Sequence, residues 1–128
     1  MPNCSPRLLN DLLLLAVGYV VIVSEDYRWF ITKDFKLPPG YDYSSTDVLV
    51  EAPEDYPCSP PGVGGSHVYL PLKLRFKGRK LPYLHEYVTP GWGEWAWYCF
   101  QSIQWDPIRD DLVNFMEIIR TELTNPRK

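Results

Sequence analysis

Apolar positions recur along the chain with distinct spacings, and each spacing predicts its own element. Leu8, Leu9, Leu12, Leu13, Leu15 and Ala16 fit one face of a short helix, and Gly18 followed by the β-branched run Val20, Val21, Ile22 and Val23 reads as the start of a strand. The first helix is therefore predicted to end near Gly18. Residues 27–35 carry Trp29, Phe30, Ile31 and Phe35; Leu37-Pro38-Pro39-Gly40-Tyr41 then forces a turn, and residues 47–51 resume an apolar strand. These two stretches are expected to lie side by side, antiparallel. Val68, Leu70, Leu72, Leu74 and Phe76 alternate with Tyr69, Pro71, Lys73 and Arg75, the period of two expected of a strand with one buried face. Pro71 has no N–H to give to a ladder, so it predicts an edge strand or a bulge.

The last apolar series is helical. Asp106-Pro107 reads as an N-cap followed by proline at the first helical position, and Asp110 and Asp111 sit early, where the helix dipole favours carboxylates. Ile108, Leu112, Phe115, Met116, Ile119 and Leu123 follow, and Pro126 marks the end, so an amphipathic helix of about five turns is predicted. A short N-terminal helix, strands, an irregular aromatic stretch and a C-terminal helix make an α+β fold, an antiparallel sheet covered on one face. With 128 residues the chain has the length of one domain, 1–128, whose residues 1–6 are expected to form a flexible tail.

Charge and cysteine content narrow the possibilities further. Thirteen basic against 16 acidic residues, net -3, give no basic field for a phosphate backbone, so nucleic acid is not an expected partner. Cys4, Cys58 and Cys99 form neither an even disulfide framework nor a C-x-x-C metal pair, and the simplest reading is a reduced, cytoplasmic compartment. Residues 12–23 are uncharged but too few to span a bilayer as a helix. A signal-peptide core is the rival reading because Arg7 precedes the run. Asp11 interrupts the approach and no A-x-A-like site follows, which favours a buried helix-to-strand segment and makes membrane attachment the lesser alternative.

Tyr56-Pro57-Cys58-Ser59-Pro60-Pro61 resembles the YPxxPP signature of ubiquitin-conjugating (E2) enzymes. In that superfamily the proline-stiffened turn leads to a strand, to a long irregular loop with the active cysteine, and to a tryptophan-proline step opening a helix. The same order stands here: a strand at 67–76, a loop at 77–98, Cys99, and Trp105-Asp106-Pro107. The resemblance covers about residues 20–125, and Leu37-Pro38-Pro39-Gly40-Tyr41 ahead of it is similar to the prokaryotic E2-like family of bacterial ubiquitin-like conjugation operons. It implies an acyltransferase of UBC-like fold that takes a ubiquitin-like protein from an E1-like enzyme as a Cys99 thioester and passes it to a target amine. Antiviral defence is the implied setting, and no cofactor is implied. One departure stands out: the His-Pro-Asn tripeptide of eukaryotic E2s is absent, and its asparagine stabilises the oxyanion of aminolysis in that family. The alternative is an E2-variant or RWD-like module that binds a ubiquitin-like protein or E1 without chemistry.

Thioester transfer needs a thiolate, and a thiol of ordinary pKa is only a few per cent ionised near neutrality. Cys99, flanked by Tyr98 and Phe100, could alternatively be a small buried hydrophobe. The family register makes it the candidate nucleophile. Cys58 is expected to pack at a position where E2s carry an aromatic. His85, 14 residues before Cys99, is a candidate to orient the site or carry a proton, against the plainer reading of a solvated loop histidine. Trp92, Trp95, Trp97 and Trp105 around Cys99 could roof the thiol, form a docking patch for the ubiquitin-like partner, or make a satellite core.

Overall fold

Helix α1 (Pro6–Gly18) opens on a proline, whose fixed φ suits the first helical turn. The computed structural model describes residues 6–61, 67–71, 73–81, 95–98 and 103–124, with backbone alone at 84–86. Leu8, Asp11, Leu12 and Leu15 form the packed side of α1, whereas Leu9 and Leu13 are 44% and 64% exposed, which corrects the predicted face. Leucine fills six of the eight positions from 8 to 15, so leucine spacing does not define a face there. The buried carboxylate of Asp11, bonded to Tyr56 and Arg7, does.

Tyr19 N–H closes the helix on Leu15 O at 3.0 Å, and strand β1 (Val20–Val23) follows. The apolar segment 12–23 is thus divided between helix and strand, as its β-branched second half predicts. Among the described residues no helix is long and apolar enough to cross a membrane.

Strands β2 (Trp29–Lys36), β3 (Ser45–Glu51) and β4 (Val68–Pro71) continue β1 as an antiparallel meander. The expected pairing of the 27–35 and 47–51 stretches is there, interrupted by a register shift between Thr32 and Phe35, where Asp34 takes φ 54°. The Asp47 carboxylate fastens this bulge, accepting from Lys33 Nζ at 2.7 Å and from Asp34 N–H at 3.3 Å. That bond raises the pKa of the Lys33 ammonium.

The alternating segment 68–76 is not one strand. β4 ends at Pro71, and β5 (Arg75–Phe76) pairs instead with β6 (Arg79–Lys80) in a separate hairpin. Nor is β4 an edge: it lies between β3 and β8 (Trp95–Tyr98), and β7 (Leu84–Glu86) completes the sheet in the order β1-β2-β3-β4-β8-β7. Pro71 is tolerated because it is the last paired residue, opposite Trp95. Val68, Tyr69 and Leu70 are all buried, because a central strand here meets apolar groups on both faces. Three short strands also occupy the stretch 77–98, which was expected to be an irregular loop.

Helix α2 spans Leu112–Thr124 and begins later than expected. Asp106 caps only a preceding turn, its carboxylate accepting from Ile108 N–H at 3.0 Å, while its carbonyl takes Arg109 and Asp110 N–H. The cap of α2 is Asp111, which accepts from Asn114 N–H at 2.9 Å. Ile108, expected on the packed face, is 88% exposed. Leu112, Phe115, Met116, Ile119 and Leu123 are buried against α1 and the sheet face carrying Phe30, Val48, Val50, Val68, Leu70 and Tyr98.

Candidate functional site

Three separated pieces of sequence meet at one end of the sheet. The proline turn begins with Tyr56, whose buried ring packs on Trp105 at 5.9 Å, and Trp105 in turn meets Phe115 of α2 edge-on at 6.2 Å. Trp105 Nε1 donates to Pro57 O at 2.7 Å, and Tyr56-Pro57 is a cis peptide. The YPxxPP turn and the tryptophan-proline step, 48 residues apart from Pro57 to Trp105, are thereby joined directly.

Beneath them Asp11, 1% exposed, accepts from Tyr56 OH at 2.5 Å and from Arg7 Nε at 3.3 Å. The same guanidinium donates to Pro107 O at 2.8 Å and to Asp110 O. One arginine thus bonds α1 to the turn before α2. Burial, followed by the bond to Asp11, pushes the Tyr56 hydroxyl well above the ordinary tyrosine range.

The end of β8 is held from the other side. Tyr98 is buried and pairs in the ladder with Val68 and Leu84, and its hydroxyl donates to Glu122 of α2 at 2.9 Å. A groove of about 420 Å³ runs between Ile103-Gln104 and α2, lined there by Glu117, Ile118 and Glu122. Glu122 therefore belongs both to the groove and to the anchor of β8. Sequence reasoning passed over Tyr98 and Glu122, and no local motif marks a pair 24 residues apart.

Cys99 is the residue after Tyr98 in the chain; it and Trp92 lie outside the described residues. His85 lies in β7 opposite Trp97. Trp95 is buried with Leu49 and Tyr69 on the sheet face away from the helices, and Trp29, Ile31 and Trp97 pack around that cluster. Trp97 also meets His67 with ring centroids 4.5 Å apart. The structure therefore brings Trp95, Trp97 and His85 onto neighbouring strands. Cys58 is exposed, which corrects its expected packing role; its N–H donates to Asp55 O at 2.7 Å. Among the described residues no group of His, Cys, Asp and Glu is arranged to hold a metal ion.

No curated protein and no solved structure matches the chain. A family model does match, that of prokaryotic E2 family E, over residues 12–126. The match takes in α1 from Leu12 onward, the whole sheet, the proline turn, Trp105 and α2. The chain belongs to prokaryotic E2 family E.

Proposed function

We propose that the chain is an E2-type conjugating enzyme that carries a ubiquitin-like protein as a thioester on Cys99 and transfers it to a target amine, in a bacterial antiviral conjugation system. The Cys99 thiolate attacks the thioester carbonyl joining the ubiquitin-like protein to an E1-like enzyme. A new S–C bond forms, the old one breaks, and the E1 thiolate leaves. A target amine then attacks the Cys99 thioester, forming a C–N bond as the C–S bond breaks and the amine loses its proton. His85 is the group proposed to orient the site or carry that proton; Trp92 and the partly buried Trp97 are proposed to face the ubiquitin-like partner, with Trp95, buried beside Leu49 and Tyr69, supporting them from within the sheet.

The observation that carries this reading is the direct Trp105 to Pro57 bond, made between two motifs that flank Cys99 in an E2-family chain. The Tyr98 to Glu122 bond adds to it by fastening the residue before Cys99 to α2. With E1-like enzyme, ATP and the cognate ubiquitin-like protein, wild type should form an adduct that disappears on adding thiol. Cys99→Ala should form none, Cys4→Ala and Cys58→Ala should load normally, and Cys99→Ser should trap a thiol-resistant oxyester. A thiol-sensitive adduct on Cys99→Ala would refute the assignment. The absence of His-Pro-Asn favours a second reading, a binding module without transfer chemistry. Wild type that never loads from a charged E1, yet still binds it or the ubiquitin-like protein, would establish that reading instead.

A further inference from the structure

Five of the chain's 13 basic residues, Lys73, Arg75, Lys77, Arg79 and Lys80, fall between positions 73 and 80, a stretch with no acid. The other eight are set against all 16 acids. Among the described residues outside this stretch, Arg7, Arg28, Lys33, Arg109 and Arg120 form ion pairs with Asp11, Glu51, Asp47, Asp106 and Glu117. No ion pair among the described residues includes Lys73, Lys77 or Arg79. The Lys73 and Lys77 ammoniums stand over the Tyr43 and Phe76 rings, at 4.9 and 5.3 Å, and Lys77 and Arg79 are exposed.

The stretch that carries them is a hairpin held on a rigid base. Lys77 and Gly78 take φ of 50° and 77°, the left-handed pair of a two-residue hairpin turn. Lys77 N–H donates to Gly40 O at 2.7 Å, Asp42 N–H to Arg75 O at 3.2 Å, and Arg75 N–H to Asp42 Oδ1 at 3.0 Å. Phe76 lies against Tyr41 with ring centroids 4.8 Å apart, and Tyr41 OH donates to Leu123 O at 2.6 Å. Gly40 has φ 107°, and a Cβ there would sit 2.6 Å from the Phe76 ring. The Pro38-Pro39-Gly40-Tyr41 turn is thus the seat of the hairpin, and it ties the hairpin to the end of α2.

We infer that this clamped basic hairpin is a docking element for an acidic segment of a partner polypeptide. A presented turn needs no ordering on binding, so its cations meet carboxylates with little entropic loss. The cations stop at the ends of the hairpin and the rest of the chain is acidic, so a short carboxylate-bearing segment gains from it. A phosphate backbone continuing past the hairpin meets a surface of its own sign.

The test uses the full chain and a fluorescent oligo-glutamate peptide, followed by anisotropy at rising salt. Binding should saturate and weaken with salt. The double variant Lys77→Glu, Arg79→Glu should lower affinity by at least about tenfold, as loss of close charge pairs does. Arg109→Glu, a reversal in the turn before α2 whereas the hairpin is tied to the last residues of α2, should change it by less than about twofold, as screened distant charges do. Circular dichroism on each variant confirms the fold. Absence of binding at low salt overturns the inference, and so does an equal loss in Arg109→Glu, which reduces the effect to net charge. Tighter binding of a single-stranded DNA of equal charge also overturns it, in favour of a nucleic-acid site. None of these outcomes depends on Cys99 loading.

Discussion

The hydroxyl of Tyr56 donates to the Asp11 carboxylate across 2.5 Å, joining the first residue of the proline turn to the inner side of α1. Both residues are buried, at 3% and 1% exposure, so removing the hydroxyl leaves a carboxylate short of a donor out of reach of water. Tyr56→Phe should destabilise the fold by about 1–3 kcal/mol, read from the denaturant midpoint.

The same bond sets a dependence on alkali. The folded-state pKa of Tyr56 is raised, by burial first and by Asp11 second, and Tyr41 is raised by burial and then by Glu122. A raised pKa means the native state holds the proton more tightly than the unfolded chain. The contribution is complete below the unfolded tyrosine value of about 10 and is lost as pH climbs from there towards the folded value. Stability should therefore fall on the alkaline side above about pH 10, and less steeply in Tyr56→Phe. Equal alkaline slopes in the two proteins would contradict this.

Asp111, and not Asp106, caps α2. Asp111→Ala should cost about 1 kcal/mol in thermal or denaturant unfolding, and Asp111→Asn much less, because asparagine caps as well as aspartate. Asp106→Ala removes only the bonds of the preceding turn, so its cost should be the smaller of the two.

Thr32 is fully buried, and among the described residues its Oγ1 has no hydrogen-bond partner. Thr32→Val should raise stability by about 1 kcal/mol, because a methyl replaces a desolvated hydroxyl that makes no bond. A destabilised Thr32→Val protein would mean that the hydroxyl has a bound water or other partner.

For the aromatic residues ahead of Cys99, Trp92→Ala should weaken loading by the E1-like enzyme with the far-ultraviolet spectrum unchanged, if the side chain faces the ubiquitin-like protein. An unfolded or insoluble variant would place Trp92 in the core instead. His85→Gln should load normally and slow transfer to amine, and if the imidazole takes the proton from the amine the loss should shrink as pH falls through the ordinary histidine range, because protonated His85 cannot accept it.

Elements whose packing agrees with their own periodicity were legible in the sequence. The strand pair at 27–35 and 47–51 and the apolar face of 112–123 are of this kind, and so is the break at Gly18. Proline and tryptophan spacing also gave the family, because a turn such as Tyr56-Pro57 is written in local residues. What escaped was decided at a distance. Tyr69 alternates as an outward residue, yet β8 and the Trp95 cluster bury it, and nothing in residues 68–76 foretells a neighbour supplied by residues 95–98. The helix start moved because Arg7, about a hundred residues away in the chain, bonds the Pro107 and Asp110 carbonyls and holds a separate turn ahead of α2. Of the candidate site, the sequence could mark the proline turn and the tryptophan-proline step, which the structure joins, but not the Tyr98 to Glu122 anchor. The cations of 73–80 were readable one by one, whereas their common presentation depends on Gly40.

The strand order has a kinetic side. β1, β2 and β3 are joined by connections of five and eight residues, whereas β4 follows β3 only after 16 residues and β8 must cross 23 to reach β4. Loop closure of that length is paid before the pairing rewards it, so β8 and β7 should join late and, in the native protein, part first. The segment leading to Cys99 would then exchange its amides ahead of β2 and β3, and an E1-like enzyme approaching that end of the sheet would meet the part of the fold most readily reshaped by a partner.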